Sequence, residues 1–396
     1  MKTQVAAIEF GTSKIVTLIA QSGGLSRCDI VGSGTVPYDG FMGGDWNTPN
    51  QLMRAVRDSV AAAELEANSK IHEIYVGVPG EYVRVRTGEA EIDLENGEIS
   101  EDDVNLVQDR VADRLRIADE GGYVLHRSPA WFSVDDGKKS MTPIGAHGSR
   151  LRASVSFIVA DPGFIEDMAD LFGALNITIL GFLAPTLGES LLLLSLDDRD
   201  RAALLIDVGY LNTEISAVEG DAITYHAVLP LGAGQLVGDL MSELQLPLEA
   251  AEQVKRSYVF NPDEFDTDAF FEVYDESGRR ISLPRQDVQQ VVERNIDELC
   301  DMIDRTIRND ASACLGPRSQ VFLTGGGLAL MRGGREYLAA AISRPVKVPT
   351  AKSAKLNSPV YSSALGLVDL IFDSIEQQGP AEGGLGEKLK GLFKRG

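Results

Sequence analysis

Apolar and polar positions follow two different periodicities along the chain, which predicts an α/β protein. Apolar runs typical of buried strands occupy residues 5–10 and 15–20, and the short turn "GTSK" separates them. The same strand–turn–strand pattern begins again near residue 203 with "AALLIDVG". Apolar positions at helical spacing follow each hairpin, as in residues 50–67 and 288–313. The pattern therefore predicts two α/β units that share a topology.

The pattern of apolar and polar residues changes near Tyr82, which indicates a separate unit inserted into the first α/β unit. Strand-like alternation in "YVRVRTGEAEIDL" precedes a helix, and we expect its N-cap at Ser100 because acidic residues fill the next turn. The segments "YVLHRSPAWFSVDD" and "LRASVSFIVAD" alternate like two further strands. These elements predict a small inserted α+β subdomain.

The charge of the chain restricts its partners. Its 396 residues carry a formal net charge of −22 at pH 7, so binding to nucleic acid is not expected. An anionic membrane also repels such a protein unless a local basic segment makes the contact. Cys28, Cys300 and Cys314 are scattered without a CxxC pair, which argues against a zinc site or a disulfide framework. No apolar run reaches the roughly 20 residues of a membrane span, and the N-terminus lacks the apolar core of a signal peptide.

Three turns and one helix carry residues suited to a nucleoside triphosphate. Backbone N–H groups hold phosphates in turns that large side chains would block, so glycines are expected there. A carboxylate after a buried strand can hold Mg²⁺ through water, because this ion keeps much of its hydration shell. The candidate nucleotide-binding residues are Gly11, Thr12, Ser13 and Lys14 in the first turn, Asp207, Gly209 and Thr213 in the second, Glu252 and Lys255 on a helix, and Gly325, Gly326 and Gly327 in the third turn, with Asp207 also the candidate magnesium ligand.

Each of these features has a simpler interpretation when it is taken alone: a solvated hairpin, a helix start packed on a strand, or an exposed ion pair. Their order is more specific: a hairpin turn, an insertion, a hairpin turn with Asp-x-Gly, a Glu-x-x-Lys helix and a strand ending in Gly-Gly-Gly. With "IEFGTSK", "IDVGYLNT", "LTGGGLALMRG" and "SSALGL", this order resembles the actin/Hsp70/sugar-kinase ATPase superfamily. Within it, nearly the whole chain resembles the FtsA cell-division proteins.

The resemblance implies an α/β protein with an actin-like two-lobed ATPase fold, an FtsA-type inserted α+β subdomain and a C-terminal amphipathic helix. It implies ATP and Mg²⁺ as cofactors, self-association into filaments, and binding of the C-terminal peptide of the tubulin-like protein FtsZ. It also implies a peripheral position on the cytoplasmic face of the membrane at the division site. The expected parts are residues 1–82 and 162–195 for the lobe 1 core, 83–161 for the inserted subdomain, 196–245 and 315–375 for the lobe 2 core, 246–314 for an accessory subdomain that receives the FtsZ peptide, 376–384 for a linker and 385–396 for the helix.

Two departures from the pattern of these families bear on activity. The second phosphate loop of the FtsA family usually has glycines where this chain has Tyr210 and Leu211. The chaperone members of the superfamily have an acid before a proline where this chain has Ala184. We therefore expect ATP binding with at most weak ATPase activity, and we assign no catalytic residue.

The last residues, "LGEKLKGLFKRG", are typical of a short helix that lies in a membrane interface. On a helix the apolar residues form one narrow face, and basic residues surround it against a single acid. A disordered basic end is the alternative interpretation. The candidate membrane-binding residues are Leu385, Lys388, Leu389, Leu392, Phe393, Lys394 and Arg395.

Two other functions compete with that of a division protein. One is a pilus-assembly protein of the PilM type, which binds the cytoplasmic peptide of a membrane partner. The other is a small-molecule kinase of the same fold, which needs a catalytic carboxylate facing an acceptor hydroxyl. The basic amphipathic tail argues against the first, and we find no convincing carboxylate for the second.

Overall fold

The helices and strands come from a computed structural model that describes residues 3–23, 28–38, 41–42, 45–46, 49–95, 97–260, 270–351 and 355–377. In chain order the strands are β1 (Gln4–Phe10), β2 (Lys14–Ser22), β3 (Cys28–Pro37), β4 (Phe41–Met42), β5 (Asp45–Trp46), β6 (Glu73–Gly77), β7 (Val83–Asp93), β8 (Tyr123–Val134), β9 (Arg150–Ala160), β10 (Thr178–Leu183), β11 (Ala203–Val208), β12 (Thr213–Glu219), β13 (Ala222–Leu229), β14 (Phe270–Tyr274), β15 (Arg280–Pro284), β16 (Gln320–Thr324) and β17 (Val346–Lys347). The α-helices are α1 (Pro49–Ala67), α2 (Glu101–Leu115), α3 (Pro162–Ala174), α4 (Pro185–Leu193), α5 (Leu196–Arg199), α6 (Ala233–Glu243), α7 (Leu248–Ser257), α8 (Arg285–Asn309), α9 (Gly334–Ala341) and α10 (Ser362–Gln377). No helix among the described residues is long and apolar enough to cross a membrane.

Two five-stranded sheets with matching topology form the framework. The first has the order β10-β6-β1-β2-β3 and the second the order β17-β16-β11-β12-β13. In each sheet the first hairpin strand pairs antiparallel with its partner and parallel with the strand that follows the helices. We call the part of the chain around the first sheet lobe 1 and the part around the second sheet lobe 2. The duplicated hairpin predicted from the sequence is confirmed.

The inserted subdomain follows the predicted α+β pattern. Strands β7, β9 and β8 form an antiparallel sheet, and α2 packs its Val107 and Val111 into an apolar core with Val155 and Phe157 of β9. Ser100 caps α2 as expected: its hydroxyl accepts from the backbone N–H of Asp103 at 3.2 Å, and the Asp103 carboxylate bonds back to the backbone N–H of Ser100 at 2.9 Å.

Lobe 2 contains elements that the sequence pattern did not predict. A two-stranded hairpin, β14 with β15, precedes α8, and α9 follows the glycine turn. Val273 and Leu283 point into the lobe 2 core from this hairpin, while Phe270 and Tyr274 on the other face are exposed. The sequence "FFEVY" does not alternate between apolar and polar residues, because Phe270 and Tyr274 are aromatic although they lie on the exposed face, so the pattern did not predict a strand.

Helices α4 and α10 cross between the lobes, and α10 requires one correction. The sequence pattern assigns residues 315–375 to lobe 2, but Ala364, Leu367, Val368 and Ile371 of α10 are buried in the core of lobe 1. The chain therefore returns from lobe 2 to lobe 1 at this helix. The helix also continues to Gln377, two residues into the expected linker; the other part boundaries stay predictions.

Candidate functional site

A cleft of about 890 Å³ lies between the two lobes and collects the candidate residues from four segments of the chain. Its volume is within the range of small-molecule sites. The lining includes eleven of the twelve candidates, all except Thr213: Gly11, Thr12, Ser13, Lys14, Asp207, Gly209, Glu252, Lys255, Gly325, Gly326 and Gly327. Thr213 is fully buried, and its hydroxyl donates to the carbonyl of Leu231 at 2.8 Å, so it closes the base of the second hairpin.

The first turn is a tight hairpin loop between β1 and β2. The backbone N–H of Gly11 donates to the carbonyl of Lys14 at 3.0 Å, which leaves residues 12 and 13 at the tip. The Thr12 hydroxyl accepts a hydrogen bond from the backbone N–H of Leu211 at 3.1 Å. This contact joins the first turn of lobe 1 directly to the second turn of lobe 2.

Most polar backbone groups of the second turn are bonded within the protein. The N–H of Gly209 donates to the carbonyl of Asn212 at 2.9 Å, and the N–H of Gly234 donates to the carbonyl of Tyr210 at 2.6 Å. The latter bond fixes the turn to the first residues of α6. The Tyr210 ring lies 5.2 Å from the Lys255 ammonium, a cation–π distance. Tyr210 therefore packs toward α6 and α7.

The Glu252–Lys255 pair on α7 is not the exposed ion pair that its sequence spacing alone would suggest. Lys255 is 8% exposed, and its ammonium lies 2.9 Å from the Glu252 carboxylate. Arg256 contacts the same carboxylate at 3.2 Å from the solvent side. Burial at the cleft wall fixes the position of the Lys255 charge, since a shielded pair has fewer rotamers than a solvated one.

The third turn packs closely against the end of β11. A Cβ on Gly325 would lie 2.1 Å from Asp207 Oδ1, and one on Gly327 would lie 2.5 Å from Val208 Cγ1. Glycine is therefore required here by contact with the strand. Because the same residues line the cleft, the packing interpretation and the binding interpretation hold together.

A group of carboxylates that the sequence reasoning missed shares the cleft lining with Asp207. Glu189 is buried, and Glu9, Glu81 and Glu214 are half-buried. Burial, and then the neighbouring Glu214 and Glu9, raise the pKa of Asp207 to about 7. Burial likewise raises the pKa of Glu9 and of Glu81 to about 7, and that of Glu189 well above its usual range. The available signal was a glutamate inside an otherwise apolar strand or helix, as in "AAIEF" and "TLGESLLLL".

The residues of the cleft fit a hydrated divalent cation better than a directly bound one. Asp207 Oδ1 is buried and has no hydrogen-bond partner among the described residues. No three His, Cys, Asp or Glu side chains in the described part of the chain are grouped closely enough to hold a metal ion directly. Asp207 would therefore hold Mg²⁺ through water, and the cation would relieve the crowding of carboxylates.

The positive charge in the cleft comes from Lys14 and from the α7 residues. Burial lowers the pKa of Lys14, while the nearby Glu9 and Asp207 act in the opposite direction. The Lys14 ammonium also lies 4.9 Å from the Tyr361 ring. Lys255 is already paired with Glu252, so Lys14 alone does not balance Asp207 and its four neighbouring carboxyl groups, and an anionic ligand needs an accompanying cation here.

Sequence comparison matches two family models. Residues 204–366 match the model described as cell division protein FtsA, and residues 80–159 match the SHS2 domain inserted in FtsA. The chain is 24% identical over 373 residues to FtsA of Pseudomonas aeruginosa, which covers 92% of this chain and 88% of that protein. It is 24% identical to FtsA of Escherichia coli K12 (92% and 89% covered) and 23% identical to FtsA of Bacillus subtilis (94% and 84% covered).

Solved structures with the same fold include a PilM–PilN type IV pilus biogenesis complex. The TM-score is 0.61 at 16% identity, with 94% of this chain and 98% of that chain covered. MreB 5 of Spiroplasma citri bound to AMPPNP gives a TM-score of 0.51 at 12% identity, with 95% and 98% covered. The predicted fold, actin-like and two-lobed with an inserted α+β subdomain, is confirmed. The predicted C-terminal helix at residues 385–396 lies outside the described residues.

Proposed function

Because this chain belongs to the FtsA family of cell-division proteins, we propose that it binds Mg²⁺–ATP in the interlobe cleft and anchors division filaments to the membrane. The observation that carries the proposal is the convergence of three separated turns and the Glu252–Lys255 pair on one cleft. Unrelated hairpins and ion pairs would have no reason to meet at one place.

Different residues of the cleft suit different parts of the ATP molecule. The turn at residues 11–14 and Lys14 suit the phosphates, and the Gly325–Gly327 turn with the Glu252–Lys255 pair suits the nucleoside. Mg²⁺, held through water by Asp207, would neutralise phosphate charge. The N–H groups of Gly209 and Leu211 already donate to Asn212 and Thr12. The second turn therefore offers few hydrogen-bond donors to the terminal phosphate, and this favours slow hydrolysis.

Isothermal titration of Mg²⁺–ATP into the whole chain tests the nucleotide site. We expect binding, and we expect Lys14→Ala to weaken it by roughly tenfold or more because a buried charge facing the phosphates is lost. Lys70→Ala is the matched control: its ammonium is 75% exposed and pairs with Glu64 outside the cleft lining, so affinity should not change. No heat of binding by the unmodified chain would contradict the proposal.

The proposed anchoring function requires two contacts: the C-terminal tail with lipid, and the accessory region with FtsZ. A basic amphipathic tail can attach an acidic protein to anionic lipid on the cytoplasmic face, and the accessory region near residues 246–314 would receive the C-terminal peptide of FtsZ. Pelleting with liposomes that contain phosphatidylglycerol should require residues 385–396. A labelled FtsZ tail peptide should bind the truncated chain as well as the whole chain, since the two contacts are separate.

A PilM-type function is the second candidate, favoured by the TM-score of 0.61 with the PilM–PilN complex. It predicts binding of a membrane partner's cytoplasmic peptide and no lipid binding by the chain itself. Liposome pelleting of the whole chain therefore separates the two functions, and the family membership favours the first.

A further inference from the structure

The inserted subdomain contacts lobe 2 as well as the lobe from which it emerges. Strands β12 and β13 form a two-stranded ribbon at the edge of the lobe 2 sheet, which we call the ribbon (residues 213–229). The second turn, residues 207–213, leads directly into one end of it. The turn at Glu219, Gly220 and Asp221 closes the other end, ~20 Å away at the usual rise per strand residue.

The far end of the ribbon is seated in the inserted subdomain. The backbone N–H of Asp221 donates to the carbonyl of Pro129 at 3.1 Å, and Lys139 pairs with Glu219 at 2.5 Å. Gly220 is buried with a φ of +58°, and a Cβ there would lie 2.1 Å from the carbonyl oxygen of Ala130. No other residue would fit this turn without separating the two parts.

The middle of the ribbon bonds to the insert through side-chain hydroxyls. Ser156 of β9 is 1% exposed and donates to the carbonyl of Ile223 at 2.5 Å. Thr87 of β7 donates to the carbonyl of Thr224 at 3.4 Å. Both bonds use carbonyls of β13, the outer strand of the ribbon, so the insert covers part of this sheet edge.

The near end of the ribbon meets the first residues of the insert inside the cleft. The Asn212 side-chain amide donates to the Glu81 carboxylate at 2.5 Å. Glu81 lies in the short 3₁₀-helix Gly80–Tyr82, the three residues before the expected insert boundary but at the start of the segment, residues 80–159, that matches the inserted SHS2 domain. A Cβ on Gly80 would lie 2.5 Å from the Glu214 carboxyl carbon, so the backbone of the insert also touches the start of β12. The insert therefore holds the ribbon at both ends.

We propose that the inserted subdomain positions the second phosphate turn, so that ATP binding in the cleft and the seating of the insert on the ribbon are coupled. This inference rests on the proposed nucleotide site for its functional consequence. Residues 209, 210 and 212 line the cleft, and the N–H of Leu211 bonds to Thr12 of the first turn, so a ligand in the cleft requires residues 209–212 to stay in place. Glu81 holds the second turn through its hydrogen bond with Asn212. The close contact of Gly220 with Ala130 holds the far end of the ribbon that continues from the turn. By reciprocity, nucleotide binding then changes the stability of the insert–ribbon contact by the same factor.

The first test needs no nucleotide. Gly220→Ala should displace the far end of the ribbon, and Ser156→Ala, a milder change, should loosen its middle. Hydrogen–deuterium exchange of the whole chain should then rise at residues 209–213 as well as at the altered contact. Gly278→Ala is the matched control, because Gly278 also has a positive φ (+78°) in a lobe 2 hairpin turn but has open space around its Cβ position.

An increase at residues 219–224 without one at residues 209–213 would overturn the coupling. So would a uniform increase over lobe 2 that Gly278→Ala reproduces. If Gly220→Ala fails to fold, Ser156→Ala carries the same comparison.

The second test uses Mg²⁺–ATP as the probe. We expect Gly220→Ala to weaken binding by roughly 5- to 50-fold, within the usual range of coupling between sites, and Gly278→Ala to leave it unchanged. Equal affinity in both variants and the unmodified chain would overturn the coupling while the proposed function stands. Absence of binding by the unmodified chain would remove the proposed function, and the exchange measurement would still decide whether the insert positions the turn.

Discussion

Asp207 combines burial with an unpaired oxygen, and this combination sets a pH dependence. Its pKa is raised to about 7, so the unfolded chain ionises this group at a lower pH than the folded chain does. The folded state therefore loses stability as pH rises from about 4 to about 7, and the penalty is complete above that range. A bound cation reverses the preference, because it favours the ionised form. The ionised residue is unfavourable for folding, and in the proposed function a bound cation would offset that cost.

Asp207→Asn should raise the melting temperature of the nucleotide-free chain at pH 8, with a gain of roughly 1–4 kcal/mol in unfolding free energy. The gain should shrink at pH 5, where the aspartate is already protonated. Magnesium dependence of ATP binding should weaken in the same variant. Thermal unfolding at both pH values and titration with and without Mg²⁺ measure these effects. A variant less stable than the unmodified chain at pH 8 would contradict the argument.

For Tyr210 and Leu211, the sequence and the structure suggest different effects on the phosphate site. The sequence predicts obstruction of the phosphate, but the Tyr210 ring packs beside Lys255 and Gly234. We expect the double change Tyr210→Gly with Leu211→Gly to speed single-turnover hydrolysis, because a flexible turn can aim its N–H groups at the terminal phosphate. It should also weaken ATP binding by about 2- to 30-fold through loss of the cation–π contact. Unchanged hydrolysis with unchanged affinity would show that neither side chain matters.

Tyr210→Phe is the control for that change. It keeps the ring beside Lys255 and removes only the phenol hydroxyl, so both affinity and hydrolysis should stay near those of the unmodified chain. A loss equal to that of the glycine pair would assign the effect to the hydroxyl.

The sequence predicted the site residues that belong to a recognisable motif. It missed the residues that come together only in the folded structure. Turn glycines and Lys14 follow strands in recognisable patterns. Glu81 belongs to no pattern of that kind, and it joins the cleft lining only when the inserted subdomain meets lobe 2. Glu189 was marked only by being a glutamate in an otherwise apolar helix. Thr213 was included by spacing alone, although the hairpin uses its hydroxyl to satisfy the Leu231 carbonyl.

At the scale of elements, the crossing of α4 and α10 joins the lobes and depends on two glycines. A Cβ on Gly188 would lie 2.3 Å from the carbonyl oxygen of Gly366, so the helices touch backbone to backbone. Gly188→Ala should push them apart and lower the unfolding free energy by about 1–3 kcal/mol. Gly173→Ala in α3, where a Cβ meets nothing within 4 Å, should instead raise it by up to about 1 kcal/mol.

Chemical denaturation of the two variants measures the difference between them. Equal effects of both changes would mean that the crossing tolerates a methyl group. Because α4 and α10 connect the lobes, Gly188→Ala should also weaken ATP binding, whereas Gly173→Ala should not.

Long periodic elements were predictable and short ones were not. The α1 and α8 patterns extend over several turns, so their apolar faces are evident in the sequence. Strand β17 has only two residues, and aromatic residues on both faces of β14 hide its alternation. The position of α10 in lobe 1 could not be predicted either, because an apolar helix face does not indicate which core it packs into.

At the scale of the whole molecule, the matching strand orders explain why a repeated hairpin predicted the architecture. A hairpin followed by helices and a parallel strand can complete its sheet in few ways. The repetition therefore constrained both lobes at once. The sequence did not reveal that the insert bridges back to lobe 2, since this contact joins residues more than sixty positions apart.

In the proposed attachment to the membrane, the charge of the whole chain and the charge of its tail act in opposite directions. The protein carries a net charge of −22, while residues 385–396 have four basic residues and one acid. Four apolar side chains at about 1.5–3 kcal/mol each must offset the ordering of the segment and two glycines. One copy should therefore bind anionic lipid weakly and reversibly. Many copies on one polymer should bind firmly, because each later contact is intramolecular.

Liposome pelleting should consequently rise steeply at the protein concentration where light scattering first reports assembly, and it should fall as salt is raised. Leu392→Glu should abolish pelleting without changing assembly in solution, since it places a charge on the face that the sequence predicts to be apolar in a helical tail. Leu65→Glu, at a side chain that is 85% exposed on α1, is the matched control and should pellet normally. Pelleting that grows in simple proportion to concentration, with no threshold at assembly, would mean that single tails suffice and that the polymer adds nothing to the anchor.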